Sequence, residues 1–246
     1  MKKMITFLAV AGLVFALAPA VQAETNQFSS STQLNLSDRN VLAAVSLWVP
    51  TRVNEGQSTV GVIQGVDFDD IDSLTQDNGV PIALTSGVAD ATLAISAIAQ
   101  STGREFPLVV GTFLPASDDN TQAELWPSGA YFQDNGTTTF TFGFGTGWAN
   151  TDVEVQMVGG GVWNRTDKWG LLTARVSGVD KGILRDFGFP ILMTFSATTD
   201  GSGDLAIDVV QTWGGSGGDR QWNILGGMTV TAGGPPTPTG MVIRVR

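Results

Sequence analysis

Thr137-Thr138-Thr139-Phe140-Thr141-Phe142-Gly143-Phe144 decides the fold class. Phe140, Phe142 and Phe144 share one parity; Thr139, Thr141 and Gly143 share the other. A period of two sends the rings to one side of an extended strand and the hydroxyls to the opposite side. The same rhythm recurs on both flanks. Upstream, Ala91, Leu93 and Ile95 alternate with Asp90, Thr92 and Ala94. Downstream, Val153, Val155 and Met157 alternate with Asp152, Glu154 and Gln156, and Ile191, Met193 and Phe195 with Leu192, Thr194 and Ser196. Leu205, Ile207 and Val209 then alternate with Asp204, Ala206 and Asp208, and Trp222, Ile224, Met228 and Val230 share one parity around Gly226.

Turn signals punctuate these runs: Asp77-Asn78-Gly79, Asn135-Gly136, Asp200-Gly201 and the glycine cluster at 214–218. The 198–203 stretch, Thr-Thr-Asp-Gly-Ser-Gly, predicts a hairpin between two strands. Many short, half-buried strands without a helical period or a βαβ rhythm predict an all-β chain, an antiparallel β-sandwich of jelly-roll type. The sandwich is expected over 58–232. Before it, 24–57 reads as an N-terminal segment, polar at Ser29-Ser30-Ser31-Thr32. Within that segment Ser37 is placed to cap a short helix containing Leu42, Val45 and Trp48, ended by Pro50; an edge strand over 41–49 is the other reading. After it, 233–246 is a Pro/Gly linker with a short tail.

The first 23 residues have the form of a secretory signal. Lys2 and Lys3 precede an apolar stretch over 4–17, and Val21-Gln22-Ala23 offers small residues at a cleavage site. The stretch is short for a membrane span and breaks at Pro19. Export to the periplasm, cell surface or medium is therefore expected, with a mature start at Glu24 and no transmembrane segment after cleavage. The chain carries a formal charge of −10; losing Lys2 and Lys3 makes it −12. Such a surface repels phosphate backbones, so nucleic acid is not an expected partner. There are no cysteines and no histidines. That removes disulfides, thiolate zinc sites, cysteine nucleophiles and Ser-His-Asp triads. The G-x-S-x-G match at 214–218 lacks the histidine its chemistry needs and reads as a glycine loop. An exported chain of this size without cysteine fits a bacterial source, where a large core replaces disulfides.

Three stretches carry a resemblance: Ala130-Tyr131-Phe132-Gln133-Asp134-Asn135-Gly136 leading into Thr139-Phe140-Thr141-Phe142; the run from Thr151 to Gly160; and the run from Asp200 to Val209, closed by Trp222-Asn223-Ile224-Leu225-Gly226-Gly227-Met228-Thr229-Val230. In order and pattern they resemble bacterial secreted jelly-roll modules with a galactose-binding-like fold. Some relatives end in a Val-Pro-Glu-Pro sorting segment with a hydrophobic helix. Here Pro235-Pro236-Thr237-Pro238 occupies that place without the Glu or the helix, so the resemblance does not carry membrane sorting with it.

Two constellations are candidates for binding. Trp126, Trp148, Trp163 and Trp169 fall in or beside loops, and Trp163-Asn164-Arg165-Thr166-Asp167-Lys168-Trp169 joins two indoles to polar groups in seven residues. Indole faces stack on sugar rings while Arg165 and its neighbours bond the hydroxyls, so Trp126, Trp148, Trp163, Arg165 and Trp169 form the expected carbohydrate-binding set. The other reading has these indoles cover the ends of the sandwich. Asp67-Phe68-Asp69-Asp70-Ile71-Asp72 packs four carboxylates into six residues, which is either a solvated acidic loop or a structural calcium site built on Asp67, Asp69, Asp70 and Asp72. Calcium is the one cofactor expected. A carboxylate-pair glycoside hydrolase could draw on Glu105, Glu124 and Glu154, but Glu154 alternates on a strand and no spacing marks an acid–base pair. The reading from sequence is thus an exported, non-catalytic sandwich that binds a glycan or cell-surface polymer, with a structural or matrix protein lacking a small ligand as the rival.

Overall fold

Every alternating run named above forms a strand in the computed structural model, which describes residues 23–28, 33–36, 39–48, 62–72, 79–99, 108–111, 129–132, 136–161, 169–185, 191–214 and 223–233. The first eight strands are β1 (Glu24–Gln27), β2 (Asn40–Trp48), β3 (Val62–Ile63), β4 (Val66–Asp67), β5 (Asp69–Asp72), β6 (Ile82–Ala83), β7 (Thr92–Ala99) and β8 (Leu108–Gly111). Then follow β9 (Gly129–Phe132), β10 (Gly136–Gly143), β11 (Asp152–Gly161), β12 (Trp169–Val176), β13 (Val179–Arg185), β14 (Ile191–Thr198), β15 (Asp204–Gly214) and β16 (Asn223–Ala232).

They form the expected antiparallel β-sandwich. Among the described residues, one sheet has eight strands, in the order β1-β14-β11-β16-β2-β5, with β9 also on β16 and β8 on β9. The other has six, in the order β13-β12-β15-β10-β7-β6. The β2–β5 pair departs from the antiparallel rule and runs parallel. Among the described residues no helix is long and apolar enough to cross a membrane.

Alternation fills the space between the sheets. Phe140, Phe142, Leu93, Leu205, Ile207 and Val209 point inward from the six-stranded sheet and meet Val155, Met157, Met193, Phe195, Met228 and Val230 from the other. Phe140 and Phe142 are fully buried, and each ring contributes about 2–3 kcal/mol over an exposed one.

Four expectations are corrected by tertiary pairing. The 24–57 segment is part of the sandwich: β1 pairs with β14, and β2 lies between β16 and β5, as an inner strand rather than a helix or an edge. The 198–203 stretch closes no hairpin, because β14 lies in one sheet and β15 in the other; it carries the chain across the sandwich. True two-residue hairpins stand instead at Gln64-Gly65 and Ser177-Gly178, where both residues of each pair have positive φ, the geometry that suits strand twist. On β16 the single parity breaks at a bulge: Val158 pairs with Gly227 but Gly159 with Leu225, so Leu225 joins Met228 in the core.

The outer face of the eight-stranded sheet is also buried. Phe28, Leu34 and Leu36, together with Ile63 and Phe68, pack on Ala44, Val158 and Leu192 as a second cluster. The segment is pinned in place by the Asn35 N–H donating to Gln156 Oε1 at 2.9 Å, Gln64 Nε2 donating to the Leu34 carbonyl at 2.6 Å, and an Arg39–Glu154 ion pair at 3.1 Å. This cover explains why Leu192, expected on a polar parity, is buried.

Candidate functional site

Of the five residues expected to bind sugar, Trp148 and Trp169 fall among the described residues, and the fold sets these two apart. Trp126, Trp163 and Arg165 lie outside the described residues. Trp169 opens β12, its backbone paired with Gly214 of β15. Trp148 closes a 3-10 turn, Thr146–Trp148, beside the opposite end of β15. With β15 running from Asp204 to Gly214, the two tryptophans stand about 30 Å apart.

Trp148 covers the end of the main core and is half-buried against it. Its turn is stitched to the crossover at 199–203. The Thr199 hydroxyl donates to the Trp148 carbonyl, and the Thr151 N–H donates to Thr199 Oγ1 at 2.8 Å. The Asn150 N–H donates to the Asp200 carbonyl at 2.9 Å, and the Phe144 N–H to that of Gly203 at 3.1 Å. The Asp200 carboxylate turns back on its own loop, accepting from the N–H groups of Ser202 at 2.8 Å and Asp204 at 2.9 Å. Those two bonds hold its carboxyl below the usual range.

The acidic stretch is split by strand geometry. Asp67 is exposed at the end of β4, Phe68 is buried, and Asp69 to Asp72 form β5 beside β2. Asp69 is engaged by protein donors. Its Oδ1 accepts from the Thr85 hydroxyl at 2.5 Å, and its Oδ2 from the Ser86 N–H at 2.8 Å and hydroxyl at 2.6 Å; the Thr85 N–H reaches both oxygens. Burial pushes the Asp69 carboxyl up, but the Ser86 and Thr85 bonds outweigh it and hold the group below its ordinary 3.8. Ser86 also bonds the backbone of Ala44, so the cluster fastens the 84–88 segment to β2. Asp70 is exposed, and among the described residues no three acidic groups gather as a metal site. Of the three glutamates weighed for hydrolysis, Glu154 is ion-paired with Arg39, while Glu105 and Glu124 lie outside the described residues.

The outer face of the six-stranded sheet is different. Because Phe140, Ile207 and Ala174 point inward, Thr139, Asp208 and Arg175 point outward. Backbone register places Ser96 beside Thr139, Thr139 beside Asp208, Asp208 beside Arg175, and Arg175 beside Asp180: one row across β7, β10, β15, β12 and β13. The Thr139 hydroxyl donates to Asp208 Oδ1 at 2.7 Å, and Arg175 Nε donates to Asp180 Oδ1 at 2.6 Å. Asp180, in bond and charge, and then Asp208 hold the Arg175 guanidinium above its ordinary range. Alternation marks each of these residues as outward-facing, but the row was not recognisable from sequence. Thr139 and Asp208 are 69 residues apart, and only pairing of their strands makes them neighbours.

No protein-family model matches the chain, and no curated protein matches it in sequence. Among solved structures, the chain is similar to the CBM36-1 domain of a multidomain xylanase from the hindgut metagenome of Trinervitermes trinervoides, at 14% identity and a TM-score of 0.34, over 57% of this chain and 95% of that one. It is also similar to TmCBM61 in complex with β-1,4-galactotriose, at 11% identity and a TM-score of 0.36, over 57% and 88%. A third is the M60 catalytic domain with the CBM51-1 and CBM51-2 domains from Clostridium perfringens ZmpB, at 9% identity and a TM-score of 0.29, over 64% and 19%. The class assigned here, a two-layer antiparallel β-sandwich, rests on the strand pairing of this chain itself.

Proposed function

We propose that the protein is an exported, non-catalytic β-sandwich that binds carbohydrate or a cell-surface polymer. One observation carries the reading. Part of the outer face of one sheet is covered by Phe28, Leu34 and Leu36 with Ile63 and Phe68, whereas the outer face of the other presents hydroxyl, carboxylate and guanidinium groups in register. Sugars are recognised by such convergent donors and acceptors on a rigid scaffold. Trp169 opens β12, the strand that also carries Arg175 of the polar row.

The test is a glycan array and polysaccharide retention with protein beginning at Glu24, alongside Trp163→Ala and Trp169→Ala made singly. Retention by the parent, weakened in the variants at unchanged melting temperature, supports the reading. Retention on no polysaccharide rejects it in favour of a matrix protein without a small ligand. Export is checked separately by mass spectrometry of the secreted product, which should begin at Glu24; an intact Met1 outside the cell rejects it.

A further inference from the structure

We propose that the row Ser96, Thr139, Asp208, Arg175 and Asp180 is the contact track for an uncharged, extended polysaccharide lying across the strands, an inference that rests on the carbohydrate reading above. The row crosses five neighbouring strands, its members paired residue to residue, with a bulge just before Arg175 where β12 meets β13. At about 4.8 Å per strand it is about 19 Å long, and each step is close to the length of one sugar residue in an extended glycan. A chain laid perpendicular to the strands therefore meets one polar side chain per residue or so.

The donors and acceptors suit hydroxyl groups. Thr139 gives its proton to Asp208 and presents oxygen lone pairs outward. Arg175 has five N–H donors, of which Nε–H is directed to Asp180. Both partners are accessible, with side chains 38% and 60% exposed. The floor on one side of the row is low: Ala94, Thr141 and Ala206 sit there in register, while on the other side Val210 follows Asp208 in register with Thr137 and Ile98.

Charge selects the ligand class. Asp208 and Asp180 against Arg175 leave the row at −1, on a chain of −10. Arg175 is held between two carboxylates and is not displayed as an isolated cation. Uronate or sulfated polymers are repelled by this face, and neutral glycans are not.

The experiment measures affinity electrophoresis of the folded protein in gels containing mixed-linkage β-glucan, galactomannan or neutral xylan, with polygalacturonate as the anionic probe. The wild type should be retarded by at least one neutral polysaccharide and not by polygalacturonate, with little change up to about 0.5 M salt. Thr139→Val and Arg175→Gln should each weaken retardation about tenfold, the loss of a hydrogen bond to a charged or aligned partner. Thr139→Ser should retain it, and so should Val62→Ser on the opposite face, where Val62 is exposed. Near-UV circular dichroism confirms that each variant is folded. Neutral retardation that survives both Thr139→Val and Arg175→Gln, or a preference for polygalacturonate, overturns the track while leaving carbohydrate binding standing. Retardation by no polysaccharide overturns the carbohydrate reading and the track with it.

Discussion

Gly203 lies so close to Gly145 that a Cβ at position 203 would sit 1.9 Å from the Gly145 carbonyl oxygen. Its φ of +86° is also one that L side chains rarely adopt. The contact locks the crossover between the sheets to the turn that carries Trp148. Gly203→Ala should therefore cost about 2–4 kcal/mol, from backbone strain and overpacking together. Gly201, with open space around it, is the control, and Gly201→Ala should change stability by less than about 1 kcal/mol. Urea denaturation of both variants checks the difference.

Asp69 makes stability depend on acid. Its carboxyl is lowered in the folded state, so its contribution is present above the ordinary value of 3.8 and is lost as pH falls from there through the folded value. Asp69→Asn should cost about 1–2 kcal/mol at neutral pH, a discounted figure because the group is partly exposed. The gap to wild type should narrow as pH falls from 3.8 through the lower folded value. The same cost should appear with and without a chelator, since the partners are Thr85 and Ser86. A cost seen only with calcium present would assign the carboxylate to the ion instead.

Trp148 is an end cover of the core. Trp148→Ala should lower stability by about 2 kcal/mol, less than for a fully buried ring. It should leave polysaccharide retention unchanged, because the residue stands at the far end of β15 from Trp169. Melting temperature and retention measured on one sample separate the two effects.

A chain beginning at residue 58 should not fold. It lacks β1, and it lacks β2, which pairs with β16 on one side and β5 on the other. It also lacks Phe28, Leu34 and Leu36 from the outer cluster. Calorimetry should show no cooperative transition for the 58–246 fragment and a single one for 24–246.

Ala23 ties the two sheets at their edges. Its N–H donates to the Lys181 carbonyl at 2.7 Å, and its methyl occupies the space that a side chain at Gly182 would fill. Protein beginning at Ala23 should outlast protein beginning at Glu24 by about 1 kcal/mol, or about 2–4 °C in melting temperature. Differential scanning of the two forms decides it.

The all-β class and most of the inward-facing residues were legible in the amino-acid order, because a period of two is a local property. Phe140 and Phe142 between threonines need no partner to declare which side is apolar. Pairing is not local, and it decided everything that alternation could not. Thr198 to Gly203 has the composition of a hairpin, yet it is a crossover, since turn residues fix a change of direction and not the sheet to which the next strand belongs. Val41 to Trp48 looked like a helix or an edge because its neighbours on both sides, at 69–72 and 227–232, are distant in sequence. Leu192 and Val158 are buried because Phe28, Leu34, Leu36, Ile63 and Phe68 pack over the outer face. By the same logic, the composition announced hydroxyls, carboxylates and indoles suited to sugar, but their grouping had to wait for the fold. Strand register parted Trp148 from Trp169 and Asp69 from Asp70, and it drew Thr139, Asp208 and Arg175 into one row, because side-chain proximity across a sheet is set by which strands hydrogen-bond and in what register.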